Sequence, residues 1–235
     1  YGFQQVKFWQ TYRGSGFRPQ VFMSNGLMLS LFMGFTALSG LGLWISRAKA
    51  VFLGLPLWIF VVALAVTTVL CRSVGATILF FVGIGSLLVI KHLRTSAPVL
   101  LIASITVVYI IVRGGGLWSG MELVDMASAT VGEVRAASLQ TRIVNETVLA
   151  ERARERLLLG WRGWGRNRPM DEHSITDGYW IIVFGVGGVL GLAGFVGTIL
   201  GPALLLTYRI PGKYWTNPAI VSAAVGSLIL CLWMV

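Results

Sequence analysis

The chain of 235 residues is 56% hydrophobic and only 12% charged, with a net charge of +10. A domain surrounded by water does not sustain that balance, whereas a chain solvated by lipid does, so an ordinary soluble fold is excluded. The basic residues are dispersed between apolar runs instead of gathered on one face, which excludes nucleic acid as the partner that explains the charge.

Residues 1–25, opening "YGFQQVKFWQTYRGSGFRP", have no initiator Met and no apolar core of the signal-peptide kind. They read as an external or interfacial segment of a longer chain, of which this sequence is the C-terminal part. Apolar windows of about 20 residues, enough to cross roughly 30 Å of hydrocarbon, then recur. Four transmembrane helices are expected within 26–112, at 26–45, 51–70, 73–90 and 97–112, and two more at 191–208 and 217–235. The fold class is therefore all-α: a polytopic helical membrane protein of about six spans, with one large external, mostly helical loop at 113–178.

The short connections carry Arg47 and Lys49, then Lys91 and Arg94, then Arg209 and Lys213. Alternation of spans puts all three pairs on one side, which the positive-inside rule makes cytoplasmic, so the 113–178 loop faces the exterior. Lys7, Arg13, Arg18 and Arg72 fall on the other side, either as exceptions to the rule or as functional residues. Cys71 and Cys231 lie at or inside spans and read as small hydrophobes, not as a disulfide or metal ligands.

The external loop holds all nine acidic residues of the protein and nine of its nineteen basic ones. A mere connector needs neither that ionic density nor its tryptophans. From 122 to 158, Leu139, Ile143, Ala150 and Leu157 recur at helical spacing, and Arg142 with Glu146 and Glu151 with Arg154 stand at pair-forming distance, predicting one or two amphipathic helices. Arg135 and Arg142, seven apart, share one helical face. The helix should stop at Gly160, followed by a glycine-rich turn through Gly163 and Gly165 in which Trp161 and Trp164 could serve as belt aromatics at headgroup level. Beyond it, residues 179–190 are expected to form a short re-entrant or interfacial helix before a span begins near Gly191, with glycines spaced for close helix packing.

The turn "GWRGWGRNR", followed by "SITDGYWIIVFGVGGVLGLAGFVGTIL", resembles the conserved end of the external loop in the O-antigen ligase and O-antigen polymerase superfamily, Wzy-like membrane proteins of polysaccharide assembly. The aromatic pair is Tyr179 and Trp180, and the following "GxxG" break is Gly188 and Gly191. "LCRSVGATILFF" at 70–81 is similar to the family's Ser-Arg-Ser-like start of a span, with Arg72 and Ser73 in matching places, and "SLQTRIVNE" at 138–146 is similar to its arginine-bearing loop segment, with Arg142 matching. The likeness covers most of residues 65–208. It departs at the family's His-Asn position, occupied here by Thr176 and Asp177, which points to a polymerase-like relative instead of an ordinary lipid A core ligase.

The resemblance implies a GT-C-like glycosyltransferase architecture, a bacterial cytoplasmic (inner) membrane location, and a periplasm-facing site. There, glycan would pass from a polyprenyl-pyrophosphate-linked donor to the hydroxyl of a glycan or glycolipid acceptor, without metal or other cofactor. Such chemistry needs donors for the departing diphosphate, for which arginine's fork of N–H groups is suited; Arg72, Arg142, Arg166 and Arg168 are the substrate-binding candidates. It also needs a proton acceptor, either Asp177 or His173. Each has a structural reading beside it: Arg72 as a snorkelling span-end cation, Asp177 with Thr176 as a helix N-cap, and His173 as an ordinary loop histidine. His92 and His173 fall on opposite expected sides and no acidic loop has a hard-cation pattern, so no metal site is expected. The competing function is a transporter or channel subunit gated by the external loop, for which intramembrane glycines and helix breaks would serve. It lacks an Asp, Glu or Lys near the centre of any expected span.

Overall fold

The structure is a computed structural model describing residues 12–13, 16–17, 19, 21, 23, 25–48, 51–163, 165–168 and 178–234. They form eight α-helices: α1 (Gly26–Ile45), α2 (Leu57–Leu70), α3 (Val74–Leu93), α4 (Ala97–Gly114), α5 (Met121–Val131), α6 (Glu133–Arg154), α7 (Tyr179–Arg209) and α8 (Val221–Met234). Two small antiparallel hairpins accompany them, β1 (Tyr12–Arg13) with β2 (Gly16–Phe17), and β3 (Val51–Phe52) with β4 (Leu55–Pro56). Helices α1, α3, α4 and α7 are long and apolar enough to cross a membrane. Large apolar side chains such as Ile78, Phe81, Ile105, Ile111 and Leu205 are exposed on them, as lipid permits and water does not. Hydroxyls on these helices bond back to their own backbone, Thr36 to Phe32 O and Thr198 to Gly194 O for example, so they enter an apolar environment already satisfied.

Two expected spans are shorter than the sequence suggested. The apolar run from residue 51 does not become helix until Leu57, because Leu53 and Gly54 adopt positive φ in a tight turn and Pro56 ends the hairpin it closes. The run from 217 becomes helix only at Val221, after a turn built on Asn217 and Pro218. Both α2 and α8 have 14 residues.

The chain divides into two compact units, Tyr1–Ile102 with Pro202–Val235, and Ala103–Gly201. In the first, α1, α2, α3 and α8 pack as a bundle around Leu38, Phe80, Leu87, Leu228 and Leu232. Glycines set the approach. A side-chain carbon at Gly83 would collide with Leu38 and come within 3.1 Å of Leu232, and one at Gly42 would collide with Val225. Asn25 caps α1 through Oδ1, which accepts the Met28 N–H at 2.9 Å.

In the second unit, the loop helices α5 and α6 are separated by Gly132 at φ +95° and close on each other through Val124, Ala136 and Ile143. Ile143 and Ala150 are buried as the helical spacing requires, but Leu157 lies beyond the end of α6 and is exposed. The side chain of Arg135 lies outside the described residues. Helix α7 is two helices joined at Gly188, whose φ of 63° and ψ of −161° are accessible to glycine alone. The break falls at the first glycine of the "GxxG" element, so the first helical half covers 179–187, short of the 190 expected for that segment.

Candidate functional site

The second unit is organised around one buried cation. Arg113, in the last turn of α4, is 4% exposed, and all three guanidinium nitrogens are engaged. Nε donates to Glu146 Oε1 at 2.7 Å, Nη1 to the carbonyls of Trp118 and Ser119, both at 2.9 Å, and Nη2 to Ile143 O at 3.1 Å and Thr147 Oγ1 at 3.2 Å. Tyr109, one turn earlier on α4, donates its hydroxyl to the same Glu146 oxygen at 2.8 Å. Burying an ion pair is costly unless every remaining donor is matched, and here each nitrogen has a partner. The sequence spacing had coupled Glu146 to Arg142; its Oε1 also accepts from Arg113 and Tyr109, which the spacing did not indicate, because α6 lies against the end of α4. Similarly Arg154, expected opposite Glu151, donates Nη1 to Gly114 O at 3.1 Å and holds the α4 terminus from a second direction. Tyr109 meets Trp118 and Trp180 edge-on, ring centroids 6.4 and 6.2 Å away, which draws the first half of α7 into the same cluster.

The turn after α6 is seated on the break in α7. A broken helix leaves carbonyls without partners on one side of the break and amides on the other. The segment 157–162 supplies both complements: Trp161 and Arg162 donate their N–H groups to Gly185 O at 2.8 Å and Val186 O at 3.0 Å, while Leu157 O and Leu158 O accept from Val189 N at 2.8 Å and Leu190 N at 3.3 Å. Glycine is required at both ends of this contact. Gly160 has φ +63° and a side-chain carbon there would stand 2.5 Å from Val186 O; one at Gly188 would collide with Leu158 O. Asn167, 3% exposed, lies close against Gly185 and fixes the far end of the turn.

Trp161 is more than a belt aromatic. Its Nε1 donates to Arg152 O at 2.7 Å, and the guanidinium carbons of Arg152 and Arg156 lie 3.6 and 4.4 Å from its ring centroid. Two cations stacked on one ring, with Arg162 and Arg166 exposed nearby in sequence, give the turn a positive surface, offset by Glu155, which pairs with Arg152. The Arg166 side chain folds toward Gly163, and the Arg168 N–H donates to Gly165 O at 3.2 Å.

The sequence candidates are distributed as follows. Arg166 is exposed and Arg168 half-buried, both on the seated turn. Arg142 is exposed on α6, ten residues and about 15 Å along the helix from Arg152. Arg72 belongs to the other unit, where it follows α2 in the left-handed region at φ +52° and donates its N–H to Val69 O; a cation there also complements the negative end of the helix. His173, Asp177 and Trp164 lie outside the described residues. Among the described residues no cluster of three or more His, Cys, Asp or Glu side chains is placed to hold a metal ion. Sequence reasoning missed Arg113 and Tyr109, since nothing local distinguishes an arginine ending an apolar span from one that snorkels. It also missed that 157–162 caps a helix break, although Gly160 and Gly188 were both visible as breakers. Compared with protein-family models, curated proteins and solved structures, the chain matches none.

Proposed function

We propose that this protein is a membrane glycosyltransferase of GT-C-like, six-span architecture. It transfers or polymerises glycan units from a polyprenyl-pyrophosphate donor onto a sugar hydroxyl at the outer side of a bacterial cytoplasmic membrane. The observation that supports it best is the seating of the arginine-bearing turn on the broken helix. Four backbone hydrogen bonds hold residues 157–162, so the cations that follow are presented from a rigid base, as preorganised stabilisation of a leaving anion requires. In this reading Arg142, Arg166 and Arg168 hold the diphosphate. Asp177, or His173, accepts the proton of the acceptor hydroxyl as its oxygen bonds to the donor's anomeric carbon. The bond from that carbon to the diphosphate breaks, and the lipid diphosphate leaves.

A gated pore is the competing reading, and the discontinuous α7 speaks for it, since transporters use such breaks to coordinate ions. Here, however, carbonyls and amides flanking the break are bonded to the loop. The discriminating experiment uses full-length protein in vesicles with a polyprenyl-pyrophosphate-linked glycan. Transfer is expected, falling about 10²- to 10⁴-fold for Asp177→Asn and about 10²- to 10³-fold for Arg166→Gln or Arg168→Gln. Solute or ion flux without transfer, or transfer undiminished in all these variants, would overturn the proposal.

A further inference from the structure

The turn that follows α6 contains three consecutive leucines, Leu157, Leu158 and Leu159, exposed by 49, 67 and 50%. Their backbone bonds to Val189 and Leu190 bring two more large apolar residues alongside, Leu190 itself 62% exposed. The leucines cannot turn inward by a simple shift, because the backbone carrying them is pinned to the helix break on both sides. An open apolar patch on a segment otherwise rich in arginine marks an interaction surface.

The occupant is indicated by what the patch continues. The second half of α7, from Val189 to Arg209, measures about 31 Å at a rise of about 1.5 Å per residue, the thickness of a bilayer's hydrocarbon, and ends in an arginine. A span of that length would enter the hydrocarbon at Gly188, and the leucine backbone is bonded to its immediate neighbours Val189 and Leu190. Beside the leucines are the exposed Arg156 and Arg162, and Trp161 with its apolar ring and bonded N–H, the residue types found where acyl chains give way to phosphates.

The geometry points to a monotopic membrane anchor: residues 156–162 insert Leu157, Leu158 and Leu159 among the acyl chains just beneath the headgroups, while Arg156 and Arg162 hold phospholipid phosphates. The partner is the leaflet itself, and the anchor stands independently of the transfer reaction. It fixes the α6 end of the loop to the bilayer.

The full chain, reconstituted in vesicles containing anionic phospholipid, tests this with a bimane probe at Leu158→Cys and, separately, at Leu159→Cys. The unsubstituted chain, whose Cys71 and Cys231 are buried, sets the labelling background. A nitroxide on the lipid near the headgroup is expected to quench both probes several-fold more strongly than aqueous iodide, and a probe at Glu133→Cys, at the exposed start of α6, to show the reverse order. Probes at 158 and 159 that iodide quenches as well as or better than the nitroxide lipid overturn the anchor, as does a Glu133 probe that behaves like them.

Discussion

The bundle of α1, α2, α3 and α8 is held together where side chains are missing, and the cluster at the end of α4 where one unusually demanding side chain is present. Gly42 and Gly83 let helices approach until Val225, Leu38 and Leu232 fill the space a side chain would need, which is packing suited to lipid, where burial from water gives no driving force. Around Arg113 the same problem of bringing segments together is solved with directional bonds to two loop carbonyls, a helix carbonyl, a hydroxyl and a carboxylate. Contact by shape tolerates any apolar neighbour of the right size, whereas contact through a buried guanidinium admits one arrangement of acceptors. The first suits a bundle, and the second suits a segment whose irregular backbone has to be held in one place.

That contrast can be broken most sharply at Arg113. Arg113→Ala should leave Glu146 half-buried without its cation and two loop carbonyls without a donor, lowering stability by about 3–5 kcal/mol. Thermal unfolding in vesicles measures this, and Arg113→Met combined with Glu146→Met should recover much of the loss. A single variant that unfolds like the parent would show that the cluster does not hold the unit. Next in size is Gly188→Ala, which puts a side chain into a glycine-only conformation at about 1–3 kcal/mol and against the carbonyls of Leu157 and Leu158. Faster proteolysis of the 155–168 segment is the expected readout, and unchanged cleavage would detach the turn from the break. The smallest effect should come from Gly194→Ala, where a side-chain carbon meets no described atom within 4 Å: neutral, or more stable by about 0.4–1 kcal/mol. A clear loss there would mean that another chain packs on α7.

The last case marks where reading from sequence misled. The glycines of α7 look spaced for helix packing, yet a side-chain carbon built at Gly194, Gly197 or Gly201 would meet no described atom of another segment within 4 Å, while one at Gly42 or Gly83, in unremarkable positions, would collide with a neighbouring helix. Spacing says which glycines share a face and cannot say whether another helix lies opposite. The helix break was expected at Gly188 and Gly191 on the family resemblance, and the backbone leaves the helix at Gly188. Its partner segment was not legible, since the bonds from 157–162 join residues 24 or 32 positions apart. Among site candidates, Arg166 and Arg168 emerge on a fixed turn, Arg142 on an exposed helix face, and Arg72 as a left-handed residue after α2 in the other unit.

The sequence by itself determined what depends on composition and short-range pattern. That includes the lipid environment, the apolar helices and the helical character of the loop, because hydrophobic length and backbone preference act within a few residues of each other. Tertiary structure alone decided that Arg113 is a buried brace, that Trp161 lies beneath two guanidiniums, and that a loop supplies the hydrogen bonds a broken helix lacks. Each depends on which surfaces meet, and an arginine at the end of a span has the same local surroundings whether its charge reaches water or is closed in among carbonyls.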